Sequence, residues 1–347
     1  MAAPPRPVIR RPISITLTVV AATIGVIVTP AAVLLLGAID LVTRDRFRRT
    51  RMWLLTVATL VVEFAAIVAM AGILAWHVGR LDREPAQGRF HRLEWWWAGR
   101  HITNLRVLAG VRWVVENPEE LGHGRAIALA RHASHADSIL PVLLFGIVGR
   151  RRLRYTLKDD LQWAPAMDIV GNLLPNVFVD RSPTDDSPLW DRLEHLASGL
   201  DDGVAVIFPE GTFFTPQRLE RAATRLGESR PDLEAAARTL EHMLPPRPAG
   251  TEALLAGAPD ADIVLVAHEG MEAFSDLASI RRGLPLESPV RVRLWRIPRA
   301  EVPDGDLAAW LLERWIDLDR WIQKRVLERR DCDGMPPSLV SAEEIRP

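Results

Sequence analysis

Two apolar runs near the N-terminus constrain this chain more than any other feature. Residues 13–39 carry no charge and one proline, Pro30. Residues 53–78 form a second run, with Glu63 its only acid. Each is longer than the roughly 20 residues that cross a bilayer core. One such run after Arg10 and Arg11 would read as a cleaved signal peptide. The second run and the charge pattern argue against cleavage, so residues 1–90 are expected to be a membrane-associated helical pair.

Arginines frame both runs. Arg6, Arg10 and Arg11 precede the first, Arg44, Arg46, Arg48, Arg49 and Arg51 join the two, and Arg80, Arg83, Arg89 and Arg92 follow. A two-span hairpin would put the Arg-rich connection outside, against the positive-inside rule. Two arrangements avoid that conflict. Either the first run turns back at Pro30 within one leaflet, or both helices lie shallow with their arginines at headgroups. Glu63 costs roughly 3 kcal/mol in hydrocarbon and marks either a buried contact or a shallow position. Trp95-Trp96-Trp97 is either an interfacial girdle or aromatic packing beneath the next domain.

The balance of 43 basic and 44 acidic residues, a formal charge of -1, gives no reason to expect nucleic acid. Lys158 and Lys324 are the only lysines. The single cysteine, Cys332, excludes an internal disulfide and any multi-cysteine zinc site.

From about residue 100 the pattern is that of an α/β domain, with strands expected at 126–130, 153–157, 177–179, 204–208, 263–267 and 290–295. Helices are expected between them, at 190–200 and 233–243 among others. Alternation of this kind indicates a mixed, largely parallel sheet flanked by helices, with ligands at the strand ends. Residues 304–330 read as a long amphipathic helix, docked on the sheet or lying on the membrane. The domain is expected over 91–330, with a polar tail at 331–347.

Two short strings carry the chemistry. In Arg131-His-Ala-Ser-His-Ala-Asp137-Ser, His132 follows an apolar strand and Asp137 can turn back to meet it. A carboxylate on one ring nitrogen fixes the tautomer and frees the other to take a proton from an alcohol. Ser134 can brace the loop or bond a substrate. A metal reading of His132, His135 and Asp137 is disfavoured by Ala133 and Ser138, where a metallohydrolase motif would need further histidines. In Phe208-Pro-Glu-Gly-Thr212, Gly211 allows an unusual backbone angle and Glu210 is held at a strand end.

Together the strings resemble the N-H-x-x-x-x-D and F-P-E-G-T-R blocks of the glycerophospholipid acyltransferases, of the 1-acylglycerol-3-phosphate acyltransferase type. Val177-Phe-Val-Asp-Arg181 and the preceding Lys158 resemble the block between them. His242-Met-Leu-Pro-Pro-Arg247-Pro-Ala-Gly250 resembles a later proline–arginine–glycine block of the lysocardiolipin branch. The resemblance covers about residues 95–325 and implies an α/β catalytic domain behind an N-terminal membrane-anchoring helical pair. It implies His132 as general base and Asp137 as its orienter. It implies Arg181 and Glu210 at the acceptor with Gly211 shaping the turn, and Ser134, Lys158, Thr212 and Arg247 completing the substrate-binding set. The donor would be an acyl thioester of CoA or acyl carrier protein, with no cofactor and no metal. The acceptor would be a membrane lipid, and the catalytic domain would face the cytoplasm at the inner or plasma membrane. The reaction most directly implied converts 1-acylglycerol-3-phosphate to phosphatidic acid. The alternatives are another lysophospholipid or glycolipid hydroxyl, or a catalytically dead membrane scaffold. Two positions depart from the pattern: Arg131 stands where asparagine is usual, and Phe213 replaces the arginine expected to hold the acceptor phosphate.

Overall fold

The computed structural model describes residues 6–80, 83–179, 188–331 and 343–344. It begins with three long helices, α1 (Pro7–Thr43), α2 (Arg48–Trp76) and α3 (Glu84–Ala109). The apolar runs set the first two, and both are long and apolar enough to cross a membrane by length and composition. α1 passes through Pro30 without a break, so of the two arrangements the one that reverses at that proline does not occur. Near the crossing, Gly25 of α1 lets Val57 of α2 approach: a Cβ there would meet a Val57 methyl at 3.3 Å. α2 is sandwiched between α1 and α3, burying Ala66 and Met70 against Leu93. α1 leaves Leu17, Ile27, Leu34 and Leu41 exposed on its outer side.

Both ends of α1 are tied to the domain that follows. Buried Arg10 donates from Nε and Nη2 to the Asp168 carboxylate at 3.1 and 2.9 Å, and Arg11 adds a further pair. At the other end, Arg46 pairs with Glu287 and Arg48 Nε donates to the Leu284 carbonyl at 2.8 Å. A helix of 37 residues is about 55 Å long, so α1 lies along the domain.

The sheet contains β1 (Trp113–Glu116), β2 (Ala126–Ala130), β3 (Leu153–Lys158), β4 (Val177–Val179), β5 (Val204–Ile207), β6 (Asp262–Glu269), β7 (Val290–Ile297) and the two-residue β8 (Glu343–Glu344). Their order is β4-β3-β5-β2-β6-β7-β1-β8. β4, β3, β5, β2 and β6 run parallel; β7 turns back antiparallel on β6, and β1 runs parallel to β7. β2 is central and buried along its whole length, as the unbroken apolar run Ala126–Ala130 requires of a strand covered on both faces. Alternation divides the core. Ala128, Val206 and Val264 face α3 and the segment 139–148. Ile127, Ile207 and Leu265 face α5 (Leu189–Ser198), α8 (Pro248–Gly257) and α10 (Leu307–Asp331). The remaining helices are α4 (Pro165–Leu173), α6 (Pro216–Ser229), α7 (Pro231–Ala237) and α9 (Leu277–Gly283).

The expected strands are present, and the helix at 304–330 docks on the sheet through buried Leu311, Trp315, Leu318 and Ile322. Two details differ. β1 was not anticipated, because four residues after a helix give too short a pattern to read. The helix expected at 233–243 ends at Ala237, because Asp319 of α10 draws the amides of Glu241 and His242 into its own hydrogen bonds at 2.9 and 2.8 Å. The tryptophans of α3 also divide. Trp97 donates from Nε1 to Glu63 at 2.7 Å, so Glu63 makes a buried contact, while Trp96 remains exposed.

Candidate active site

The carboxyl ends of β2, β3, β5 and β6 meet at one edge of the sheet, where parallel α/β sheets place their ligands. Each contributes a chemically active group. His132 lies two residues beyond β2, Lys158 ends β3, Glu210 lies three residues beyond β5, and His268 is the penultimate residue of β6.

The loop after β2 closes on Asp137. Its Oδ2 accepts from the amides of Ala133 and Ser134, the latter at 2.6 Å, and lies 3.3 Å from His132 Nδ1. Its Oδ1 accepts from the Ser134 hydroxyl at 2.6 Å. Ser134 is fully buried and its hydroxyl also takes the Ala136 amide. Of the two roles open to it, these bonds support bracing the loop. Burial alone would raise the Asp137 pKa. The charge of His268 and the bonds from His132 and Ser134 outweigh it and hold the carboxyl below its ordinary value.

His132 is 7% exposed. Its Nδ1 faces Asp137, and its Nε2 faces the Lys158 ammonium at 3.2 Å. Phe208 and Phe213 pack on the ring with centroids at 4.8 and 4.3 Å. Burial lowers the imidazole pKa; Asp137 opposes this, and Lys158 and His268 add to it. The ring is therefore held neutral, with a lone pair on Nε2 and a proton on Nδ1 for Asp137, which is the state a general base needs.

Glu210 does not reach outward. It is 2% exposed, and its oxygens accept from the amides of His132 and Leu244, each at 2.8 Å. Each oxygen accepts a backbone amide, and through the His132 amide Glu210 helps to position that residue. Burial pushes its carboxyl up to about 8 against those amides and Arg131. Gly211 has φ +71°, the left-handed region that favours glycine. Thr212 is half-buried and Arg247 exposed beside the turn, its amide bonded to the Pro209 carbonyl at 3.0 Å. Arg181 lies outside the described residues.

Three further residues take part, of which His268 alone was not singled out from sequence. Arg131, which stands where asparagine is usual, is 2% exposed. It donates to the carbonyls of His268 and His242 and pairs with Glu272. It thereby ties the ends of β2 and β6 to the loop before α8. His268 is fully buried, with Nε2 3.2 Å from the Arg131 carbonyl and 3.7 Å from Asp137 Oδ1. A carbonyl only accepts, so Nε2 carries the proton. The signal available was a His-Glu pair closing an otherwise apolar strand. Phe213 was noted as a departure, but its packing on His132 and its place under Lys158, 5.0 Å from ring to ammonium, come from the structure.

A buried carboxylate–imidazole pair at strand ends, with Nε2 turned away from the carboxylate, can remove a proton from a hydroxyl. Residues 112–242, which hold His132, Asp137, Lys158 and Glu210, match the family model described as Acyltransferase. The fold is also that of a solved structure, the 1-acyl-sn-glycerophosphate (LPA) acyltransferase PlsC from Thermotoga maritima. The TM-score is 0.52 at 15% identity, covering 80% of this chain and 97% of that one. Among curated proteins no sequence matches.

Proposed function

We propose that this acyltransferase moves a fatty acyl group from an acyl thioester to the free hydroxyl of a lysophospholipid, 1-acylglycerol-3-phosphate being the first choice of acceptor. The observation that carries this reading is the His132–Asp137 pair with Nε2 turned away from the carboxylate. His132 Nε2 takes the acceptor's hydroxyl proton as its oxygen attacks the thioester carbonyl. The tetrahedral oxyanion collapses, the carbon–sulfur bond breaks, and the thiolate takes the proton from the imidazolium. Asp137 stabilises that imidazolium. General-base help of this kind contributes roughly 10²–10⁴-fold. The Lys158 ammonium beside Nε2 offers positive charge to an anionic acceptor where the usual arginine is replaced by Phe213.

The same reading makes the protein membrane-bound, with the α1–α2 hairpin lying in one leaflet. Its support is that both ends of α1 bond to the catalytic domain, so the connection at 44–47 stays on the domain's side of the bilayer. The arginines there then meet headgroups on the same face as Arg10 and Arg11, and the charge conflict disappears.

Phe213 favours a second reading, in which the acceptor is another lysophospholipid or a glycolipid hydroxyl without a phosphate monoester. Purified protein in detergent, acyl-CoA and a panel of lysolipids decide between them by release of free thiol. Retention of full rate by His132→Ala on the best acceptor would remove the assigned base.

A further inference from the structure

The face of the sheet opposite the N-terminal hairpin carries a charge feature that acyl transfer at His132 leaves unexplained. α6 buries Leu219, Ala223 and Leu226 against α7 and α10. It also presents exposed Arg218, Arg221 and Arg225, at the i, i+3 and i+7 spacing that lines side chains along one helix face. Arg247, also exposed, reaches over the active-site turn: a Cβ on Gly211 would stand 3.4 Å from its guanidinium carbon. Partial burial of its stem, then the charge of Arg225, lower the Arg247 pKa, which places the two arginines within electrostatic reach.

Other surface arginines nearby are neutralised. Arg230 pairs with Asp232 and Asp306, and Arg238 with Glu220 and Glu234. Among the described residues, Arg218, Arg221, Arg225 and Arg247 have no carboxylate within ion-pair distance. Their mutual repulsion is not relieved by any carboxylate among the described residues, and an anion brought to the strip would relieve it.

The strip starts at the site. Arg218 Nη1 donates to the Phe213 carbonyl at 3.0 Å, and the Phe213 ring touches His132. It then runs two helical turns, about 11 Å, along α6. We propose that Arg218, Arg221, Arg225 and Arg247 bind the phosphorylated nucleotide of an acyl-CoA donor. This rests on the acyl-transfer reading. Guanidiniums grip phosphates bidentately. The clustered charges suit the diphosphate and 3′-phosphate of one nucleotide, and the offset from His132 suits an extended pantetheine arm. An acidic carrier protein would need a longer track. A lipid surface would meet the exposed side of α1 on the other face of the sheet.

The test uses the full chain in detergent with an Arg221→Gln/Arg225→Gln variant, a change that preserves helix propensity. Arg125→Gln, which breaks a pair with Asp260 away from the site, is the control. Isothermal titration reads free CoA and 3′-dephospho-CoA. The wild type should bind CoA more tightly than 3′-dephospho-CoA. The double variant should bind CoA at least tenfold more weakly and lose that preference, while the control is unchanged. Its KM for acyl-CoA should rise by a similar factor, with the lysolipid KM unchanged. Unchanged CoA affinity in the double variant overturns the proposal. So does a rise confined to the lysolipid KM or to the KM for acyl carrier protein, or loss of binding to phosphatidylglycerol vesicles with CoA affinity intact. If the wild type releases no thiol with any lysolipid, acyl transfer fails, and the CoA titration still judges the strip.

Discussion

The Lys158 ammonium stands 3.2 Å from Nε2 of His132, across the ring from Asp137. The imidazole thus has an anion on one nitrogen and a cation at the other. Asp137 favours its protonation and Lys158 opposes it, with burial the largest influence and also opposing. The base stays unprotonated further into acid than a free imidazole.

That placement sets the pH profile. The proposed mechanism needs neutral His132, so kcat/KM should fall only below the ordinary imidazole pKa. Lys158→Gln removes a charge that lowers the His132 pKa. The acid limb should move to higher pH, with a larger loss of rate near pH 6 than near pH 8. A pH series of kcat/KM for both proteins checks this; an unmoved limb would mean the ammonium does not act on the ring.

Phe213→Arg adds a second cation beside Lys158. It should lower KM for acceptors with a phosphate monoester by roughly tenfold, about the worth of one charge-assisted hydrogen bond, with little change for phosphodiester or uncharged acceptors. The same change should push the acid limb lower. Equal effects on all acceptors would show that Phe213 does not read the acceptor.

Glu210 joins two backbone segments. Glu210→Ala leaves the buried amides of His132 and Leu244 unpaired, at about 1–3 kcal/mol each. Thermal unfolding should show a lower Tm, and kcat should drop because His132 is no longer held. There is a pH signature as well. The folded carboxyl, at about 8, lies above its ordinary 4.5. The folded state therefore holds the proton more tightly, so this contribution is fully present below 4.5 and is lost as pH rises through 8. Glu210→Gln has no proton to lose, and its Tm should decline less than that of the wild type across that window.

Asp168 is fully buried and accepts from both Arg10 and Arg11. Asp168→Ala takes the carboxylate from a buried guanidinium, a loss of about 3–5 kcal/mol. Detergent-solubilised protein should melt at lower temperature, and proteolysis should release the N-terminal segment first. An unchanged Tm would show that the clamp does not hold α1 in place.

Membrane topology follows from the two ends of α1. In a Cys332→Ser background, cysteines placed at Arg6 and at Arg44 should label from the same side of the membrane. Labelling from opposite sides would contradict a hairpin in one leaflet.

Much of this molecule is local enough to read along the chain. The apolar runs, the central strand Ala126–Ala130 and the ordered strings around His132 and Glu210 depend on residue type and spacing. They announce an α/β domain behind an apolar helical pair, with a base at a strand end. What the spacing could not say is where each polar side chain is spent. Glu210 and Ser134 have the chemistry to bind a substrate, and folding gives both backbone and loop partners that spacing does not announce. Arg131 and His268 lie 137 residues apart and meet because β2 and β6 are neighbours. Pro30 permits a bend, but α2 packs beside an unbroken α1, and Arg10 and Arg48 bind its two ends to the domain. Hydrophobic period and turn chemistry act between near neighbours and so survive in sequence. Hydrogen-bond partners across the sheet are settled by strand order, which only the tertiary structure decides.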